Sequence, residues 1–562
     1  MPLRFLLPLA AVLGIAGCAT PAAQPGSASG VVSAADPRAA EAGAEMLREG
    51  GSAADAAFAT LLALTVVEPQ SSGIGGGGFL VYHDSGAQLR TYDGRETAPM
   101  AARPDWFFRN GQPMPIGDAI PGGKSVGIPG NIRMMALAHR EHGRLPWARL
   151  FDPAIRLARD GFVITPRLFE MLGRSKATGA LSAEGRALFY GADGNPHPVG
   201  TTVRNPALAS YLQQLAQLGA DSFYVGPNAR AIVATVNNAS RNPSRMTAGD
   251  LAAYPAKERS PVCGEYRRHR ICGMGPPSSG GIAVLQILGQ LERFDMRSLG
   301  PRSPTSWHLI AESMRLAFAD RDHYVADPDF VAVPAAGMVD RGYLAQRSAL
   351  IAPDRAMTTV APGIPAGARR VAKALEVEEA GTSHFVATDR WGNVASLTST
   401  IESVFGSGLV VNGYYLNNEL TDFSFLPERN GLPIANRVEP GKRPRSSMSP
   451  TIVYGPDGKV RLAVGAAGGA TIIAQTAKSI IAVIDWDLPA SEALALPVIF
   501  APGDTVFVER GTWLEAVAPA LQALGHTRIQ PRDGFKANAV EWRGGRWIGA
   551  ADPRSEGASV AE

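Results

Sequence analysis

The sequence predicts a fold that mixes helices and strands: two helical runs stand early in the chain, hairpin patterns follow later in it, and there is enough apolar length for a large core. Of its 562 residues, 45% are hydrophobic, so burial can support such a core, and length alone allows several domains. No linker separates independent domains, and no internal repeat stands out. Taken in order, Asp36 to Arg48 reads as a helix ending at Gly50-Gly51, where glycine suits a C-cap. Ser52 with Asp55 forms a capping box into an Ala/Leu run that stops before Pro69. Cys263 and Cys272 flank Glu265 to Arg270, which reads as a hairpin turning at Arg267-Arg268. From Ala352 to Gly381 the chain is rich in Pro, Ala, Gly and charge and reads as a loop that can be released. His384 to Thr388 and Val394 to Thr400 then alternate strand-like residues around Asp389-Arg390-Trp391-Gly392-Asn393, a hairpin with a loop of about five residues. If that hairpin is symmetric about Trp391, Thr382 lies opposite Thr400.

Thr382 is the candidate nucleophile. A threonine hydroxyl is weak at neutral pH, whereas a free α-amino group titrates near about 7.7 to 8.0 and takes the hydroxyl proton directly or through water. An internal threonine has no such amine. The reading therefore requires the Gly381–Thr382 bond to be cut, splitting a precursor into a large and a small subunit. On this segment alone an ordinary surface hairpin is the more common meaning of the pattern.

Other motifs fall around it. Upstream stand Ser72-Gly73-Ile74-Gly75-Gly76-Gly77-Gly78-Phe79, Gly94-Arg95-Glu96-Thr97-Ala98-Pro99, Val126-Gly127-Ile128-Pro129-Gly130, Pro276-Pro277-Ser278-Ser279-Gly280-Gly281 and Ala317-Phe318-Ala319-Asp320-Arg321. Downstream come Asn417-Asn418-Glu419-Leu420-Thr421-Asp422-Phe423-Ser424, Lys442 to Pro450, Gly465-Ala466-Ala467-Gly468-Gly469 and Ala551-Asp552-Pro553-Arg554. The Gly75–Gly78 run invites a phosphate-loop reading, which fails because no Lys-Ser/Thr follows; close backbone packing near a site is the alternative. In this order, from about Val32 onward, the set resembles the gamma-glutamyltranspeptidase family, also called glutathione hydrolases, of the N-terminal nucleophile hydrolase superfamily.

The resemblance implies an α+β fold, a four-layer αββα sandwich with two central sheets flanked by helices, formed jointly by a large subunit (32–381) and a small subunit (382–562) after self-cleavage. It implies a γ-glutamyl ester on Thr382, passed to water or to an amino acid or dipeptide acceptor, with glutathione and related γ-glutamyl compounds as substrates and no cofactor. Thr400 is implied to orient the nucleophile. Gly468 and Gly469 match the oxyanion hole, where backbone N–H groups contribute on the order of 2.7 to 4 kcal/mol each. A γ-glutamyl group carries an α-carboxylate and an α-ammonium, so its site needs a cation beside anions. Arg95, Ser446 and Ser447 match positions that bind the carboxylate, a guanidinium being shaped for two-point contact. Asp422, Glu419 and Glu402 match positions that hold the ammonium, the last being asparagine in many members and glutamate in others. Ala467 stands where proline is common in relatives, and Thr471 replaces a frequent arginine. The Asp422–Ser446 segment is shorter than in relatives with a lid, which predicts a more open pocket.

Arg4 and the apolar stretch Phe5 to Ile15 read as an export signal, too short to span a membrane (1–17). Ile15-Ala16-Gly17-Cys18 resembles a lipoprotein box, which makes Cys18 a lipidated first residue, 18–31 a tether, and a periplasmic, outer-membrane-anchored protein the expectation, with the membrane met only through the lipid. Cleavage near Ala22 or Ala23 to a soluble periplasmic protein is the alternative. Cys263 and Cys272 then form a disulfide or remain two half-buried thiols. His139 and His142 have the wrong spacing for a helical zinc motif and read as surface residues, and no metal site is expected. His384 reads as shaping the pocket rather than acting as base. A net charge of +3 without a basic stripe does not suggest nucleic acid. Two rivals remain: an acylase for glutaryl or cephalosporin-type amides, whose substrate lacks the ammonium, and a non-catalytic γ-glutamyl-binding envelope lipoprotein.

Overall fold

The computed structural model describes residues 30–86, 88–374 and 381–562. The expected signal peptide, Cys18 and most of the tether lie outside the described residues. The chain opens with β1 (Val31–Ala34), so Val31, assigned above to the tether, already belongs to the fold: it pairs with Thr388 and with Ala561. Helix α1 (Pro37–Arg48) starts on an Asp36 cap, and Gly50, at φ +86°, lets the chain turn away after it. Helix α2 (Ala53–Val67) carries the expected capping box between Ser52 and Asp55, and every one of its residues is buried.

Strands β2 (Gly77–His83) and β3 (Leu89–Asp93) follow, then α3 (Asn131–His142), β4 (Lys257–Arg259), β5 (Val262–Tyr266) and β6 (His269–Gly273). Helices α4 (Gly280–Leu291) and α5 (Pro304–Tyr324) lead to the central hairpin, β7 (Gly381–Thr388) and β8 (Val394–Glu402). After β9 (Thr451–Tyr454) and β10 (Val460–Ala467) come α6 (Thr471–Ile484), β11 (Lys536–Arg543), β12 (Arg546–Ala551) and β13 (Ala558–Ala561). A seven-stranded antiparallel sheet runs β13-β1-β7-β8-β2-β3-β4, and a six-stranded antiparallel sheet runs β12-β11-β10-β9-β6-β5.

Strand alternation divides the core. Phe385, Ala387, Ala395, Leu397, Leu80 and Tyr82 pack with α1 and α2 in one cluster, whereas Val386, Val394, Phe79 and Val81 pack against the six-stranded sheet in another. Helices α4, α5 and α6 contribute to that second cluster. The central strands are therefore buried on both faces, and β7 and β8 contain no exposed residue. At roughly 25 cal/mol per Å2 of apolar surface, such strands are strongly fixed in register, since a one-residue slip would exchange the two cores.

Cys263 and Cys272 face each other across β5 and β6 and form a disulfide, with Arg267 and Arg268 in the left-handed conformation of the tight turn. The surface reading of His139 and His142 is corrected. His139 lies 3.4 Å from the buried Asp55, and His142 stacks on Tyr82 at 4.0 Å between centroids. Asp55 of the capping box draws His139 inward, and Tyr82 of β2 with Tyr92 of β3 draws His142. Among the described residues no helix is long and apolar enough to cross a membrane, and no cluster of three or more His, Cys, Asp or Glu is placed to hold a metal.

Candidate active site

The β7–β8 hairpin has the register read from sequence over most of its length: Ser383 faces Ser399, and Thr388 faces Val394. At its open end the ladder slips, and Gly381 pairs with Glu402. This bulge re-aims the residues beside it. Thr382, 3% exposed, has its hydroxyl 3.3 Å from that of Thr400 and also donates to the Gly381 carbonyl. Thr400 Oγ1 donates to the same carbonyl at 2.8 Å and accepts from the Glu402 amide at 2.8 Å. Two hydroxyls thus converge on the carbonyl of the Gly381–Thr382 peptide. Glu402 itself sits at φ +76°, a strained conformation for a non-glycine residue, on the order of 1–3 kcal/mol.

Four carboxyl groups gather beyond that bulge. Arg95 donates to Glu419 and Asp422 and, through Nη2 and Nε, to the carbonyls of Arg445 (2.9 Å) and Pro444 (3.2 Å). The side chains of Arg95 and Glu419 are 1% exposed and that of Asp422 is 2%. The guanidinium and the two acids, assigned by resemblance to opposite ends of a ligand, therefore meet each other, because a buried cation requires neutralisation. Glu402 accepts from Asn418 at 2.7 Å and from Ser403. Burial, reinforced by the charge of Asp422, pushes the Glu402 carboxyl up to about 8. Burial likewise raises Glu96 to about 8 and Glu419 well above the usual range. The carboxyls of Glu96 and Glu419 hydrogen-bond to each other, and Oδ1 of Asp422 has no hydrogen-bond partner among the described residues. Buried acceptors of this kind call for donors, and an ammonium supplies three.

The glycine motifs bring backbone to this cluster. A Cβ on Gly77 would lie 2.5 Å from Glu96 Oε2, one on Gly76 would lie 1.9 Å from the Thr400 carbonyl, and one on Gly75 would lie 2.0 Å from that of Tyr415. Asn417 ties them together, accepting from the Gly127 and Glu419 amides and donating to the Gly75 and Gly127 carbonyls. Leu420, Phe423 and Val438 pack with Ala98, Trp106 and Phe107 in a small hydrophobic cluster, which anchors the segment that carries Glu419 and Asp422.

Ser446 and Ser447 lie directly after the carbonyls that hold Arg95. Ser279 donates from its amide and hydroxyl to the Ser446 carbonyl (2.8 and 2.6 Å), and Arg321 donates to the Ser447 hydroxyl at 2.6 Å. That hydroxyl keeps its own proton to give. Gly468 and Gly469, at φ +110° and +59°, turn the chain from β10 into α6, whose N-terminal amides point toward the turn. His384 faces Gly465 of β10, and its Nδ1 lies 2.8 Å from the Thr398 hydroxyl. Burial lowers the imidazole to about 3, so it stays neutral.

One network has no counterpart in the sequence reading. Ser383, next to Thr382, donates to Glu68 at 2.6 Å, and Lys536 donates to both Glu68 oxygens at 3.0 and 3.2 Å. The Lys536 amide donates to Gln475, which donates to the Ala467 carbonyl and to Thr471 beside Gly468. A buried polar chain thus links the start of β7 to the glycine turn. Burial lowers the Lys536 ammonium to about 8; burial alone would raise Glu68, yet Lys536 and Arg167 hold it below the ordinary range. Glu68 and Lys536 are 468 residues apart, so no local pattern announces the pair.

The gamma-glutamyltranspeptidase family model matches residues 39–562. A glutathione hydrolase proenzyme of Bacillus subtilis (strain 168) is 36% identical over 94% of this chain and 91% of its own. The acylase ACY 1 proenzyme of Pseudomonas sp. (strain SE83) is 34% identical over 96% and 94%. The crystal structure of a cephalosporin acylase from Bacillus halodurans superposes with a TM-score of 0.83 at 27% identity, covering 95% of this chain and 96% of that one. With an α+β fold shared over nearly its whole length, the chain belongs to the gamma-glutamyltranspeptidase family.

Proposed function

We propose that the protein is a self-processing γ-glutamyl hydrolase and transferase that uses Thr382. The convergence of the Thr382 and Thr400 hydroxyls on the Gly381 carbonyl is the observation that carries this reading. In processing, Thr382 Oγ1 attacks the Gly381 carbonyl carbon, whose oxygen Thr400 polarises. The peptide shifts to an ester, water cleaves it, and Gly381 leaves as a carboxylate while Thr382 keeps a free amine. Residues 32–381 and 382–562 then form the large and small subunits of a heterodimer with the four layers of an αββα sandwich.

In turnover that amine takes the hydroxyl proton, Oγ1 attacks the γ-amide carbon, and the departing amine leaves with the proton. The developing oxyanion is met by the Gly468 and Gly469 amides, and water or an acceptor amine resolves the ester. The glutamyl α-carboxylate takes Arg95, Ser446 and Ser447; the α-ammonium takes Glu402, Glu419 and Asp422. Glutathione and related compounds fit this pairing. The export signal and a lipid on Cys18 place the protein in the periplasm, tethered to the outer membrane.

Mass spectrometry and a γ-glutamyl-anilide assay test the core of this reading. Thr382→Ala yields one uncut chain without activity; two fragments from that variant would refute the assignment. The acylase relatives favour a second reading, a glutaryl amide as substrate. The unpartnered Asp422 oxygen within a cluster of four buried carboxyls argues for the ammonium-bearing group, and a faster rate on glutaryl-anilide than on γ-glutamyl-anilide would reverse the choice.

A further inference from the structure

Thr382 stands where the β7–β8 ladder gives it no frame: the register passes from Gly381–Glu402 to Ser383–Ser399 and skips it. Side chains must therefore fix the angle at which its hydroxyl is presented. The next two residues are held from outside the hairpin, Ser383 by Glu68 and the His384 carbonyl by the Asn538 side chain at 2.9 Å. Asn538 lies two residues beyond Lys536, on the same face of β11. Glu68 also reaches the opposite strand. Its carbonyl accepts from the Ser71 amide at 2.9 Å, and the Ser71 carbonyl accepts from the Ile401 amide at 3.2 Å, beside Thr400. Toward the second sheet, Lys536 faces Ala467 across the β10–β11 ladder, the residue before Gly468. There Gln475 holds the Ala467 carbonyl at 2.7 Å and Thr471 donates to the Gly468 carbonyl at 2.7 Å.

Stability alone accounts poorly for this arrangement. Glu68 is 3% exposed and Lys536 2%, and apolar side chains of like volume often replace such a pair without loss. What they cannot do is hold a direction. The Glu68 carboxylate takes hydrogen bonds from Ser383 and Lys536, with Arg167 3.7 Å away, so charged and polar donors fix its plane. We propose that Glu68 and Lys536 are positioning residues that set the distance between the Thr382 hydroxyl and the Gly468 and Gly469 amides, through Ser383 on one side and Gln475 on the other. The inference rests on the reaction proposed above, in which that hydroxyl attacks and those amides receive the oxyanion. Formation and hydrolysis of the ester pass the same two groups, so both steps slow together when the distance changes. The glutamyl head is held by a different set, Arg95 and the carboxyls around it, so the effect falls on kcat and not on KM.

The test is a mutant cycle read on γ-glutamyl-anilide, with rates counted per cleaved small subunit so that slower maturation does not enter. Glu68→Leu/Lys536→Met stays folded by chemical denaturation. It lowers kcat by about tenfold to hundredfold, the range of a misplacement of about 1 Å, and leaves KM within about twofold. Ser383→Ala, which leaves the ion pair whole, lowers kcat by about fivefold on its own and by nothing further in the double-variant background, because the arm it cuts is already slack. A wild-type kcat in the folded double variant, a loss that falls on KM, or a full additional loss from Ser383→Ala overturns the positioning role alone. Where the double variant does not fold, Ser383→Ala decides by itself, and an unaltered kcat from it overturns the role. Absence of anilide cleavage by the unaltered protein overturns the catalytic reading and the positioning with it.

Discussion

Glu402 offers a perturbation whose size can be worked out in advance. Its carboxyl is buried, faces Asp422, and titrates at about 8, so at pH 7 about one-tenth of the molecules carry the charge that an ammonium would seek. A hydrogen bond from a cation to a buried carboxylate is worth about 1.5–3 kcal/mol, or roughly 10- to 150-fold in affinity. Glu402→Gln keeps an acceptor for Asn418 and Ser403 and removes only the charge. The ratio of kcat/KM for wild type over Glu402→Gln, measured on γ-glutamyl-anilide from pH 6 to 9.5, is therefore close to one at the acid end. It climbs by about threefold to sixfold per pH unit as charge develops, reaches half of its final value near pH 8, and levels off about one unit above that. Taking the ratio cancels the titrations of the substrate amine and of Thr382. The effect falls on KM. Stability moves the other way: a carboxyl with a raised folded pKa costs free energy as pH rises above its unfolded value near 4.5. The variant accordingly gains thermal stability over wild type as pH increases through 8. A ratio that is flat with pH, or a loss confined to kcat, would refute the placement of an ammonium against Glu402.

Three further outcomes follow from the geometry. Glu68→Ala leaves Lys536 buried without its partner and lowers stability by about 3–5 kcal/mol, whereas Glu68→Leu combined with Lys536→Met recovers much of that loss, as read by chemical denaturation. Ser447→Ala removes a hydroxyl that Arg321 polarises and raises KM for γ-glutamyl-anilide by about threefold to tenfold at constant kcat, the value of one hydrogen bond. Cys263→Ser/Cys272→Ser opens a closed loop whose ends are 9 residues apart, lowering stability by about 2.5 kcal/mol on the chain-entropy account; denaturing, non-reducing thiol labelling of the unaltered protein finds neither cysteine.

Local patterns carried much of the architecture. The Ser52–Asp55 box, the Asp389–Asn393 turn and the Cys263–Cys272 hairpin each depend on residues within one turn or one ladder, and the structure has all three. Glycines 75 to 78 announced a close approach without naming what approaches, which proves to be Glu96 and the carbonyls of Thr400 and Tyr415. The bulge at Gly381 escaped notice because a symmetric hairpin count contains no term for the pull of Glu402 on the opposite strand. Glu96 escaped because a lone acid in a turn motif means nothing until four carboxyls share one burial. Ser383, Glu68, Lys536 and Gln475 come from four separate stretches, and only tertiary packing sets them in a row. The packing of Leu420 and Phe423 against Trp106 and Phe107 joins two distant segments, which no local pattern shows.

The seven-stranded sheet interleaves strands from both sides of residue 381, and the six-stranded sheet joins four downstream strands to two upstream ones. Severing the backbone there sacrifices almost no contact, since four ladders run between the two pieces, three in the first sheet and one in the second. Reassembly is another matter, for two released polypeptides must find each other by diffusion, and each alone exposes half a core. A cut form therefore persists by the height of its unfolding barrier and not by reversible balance, and heat inactivation of it should be permanent and dependent on scan rate.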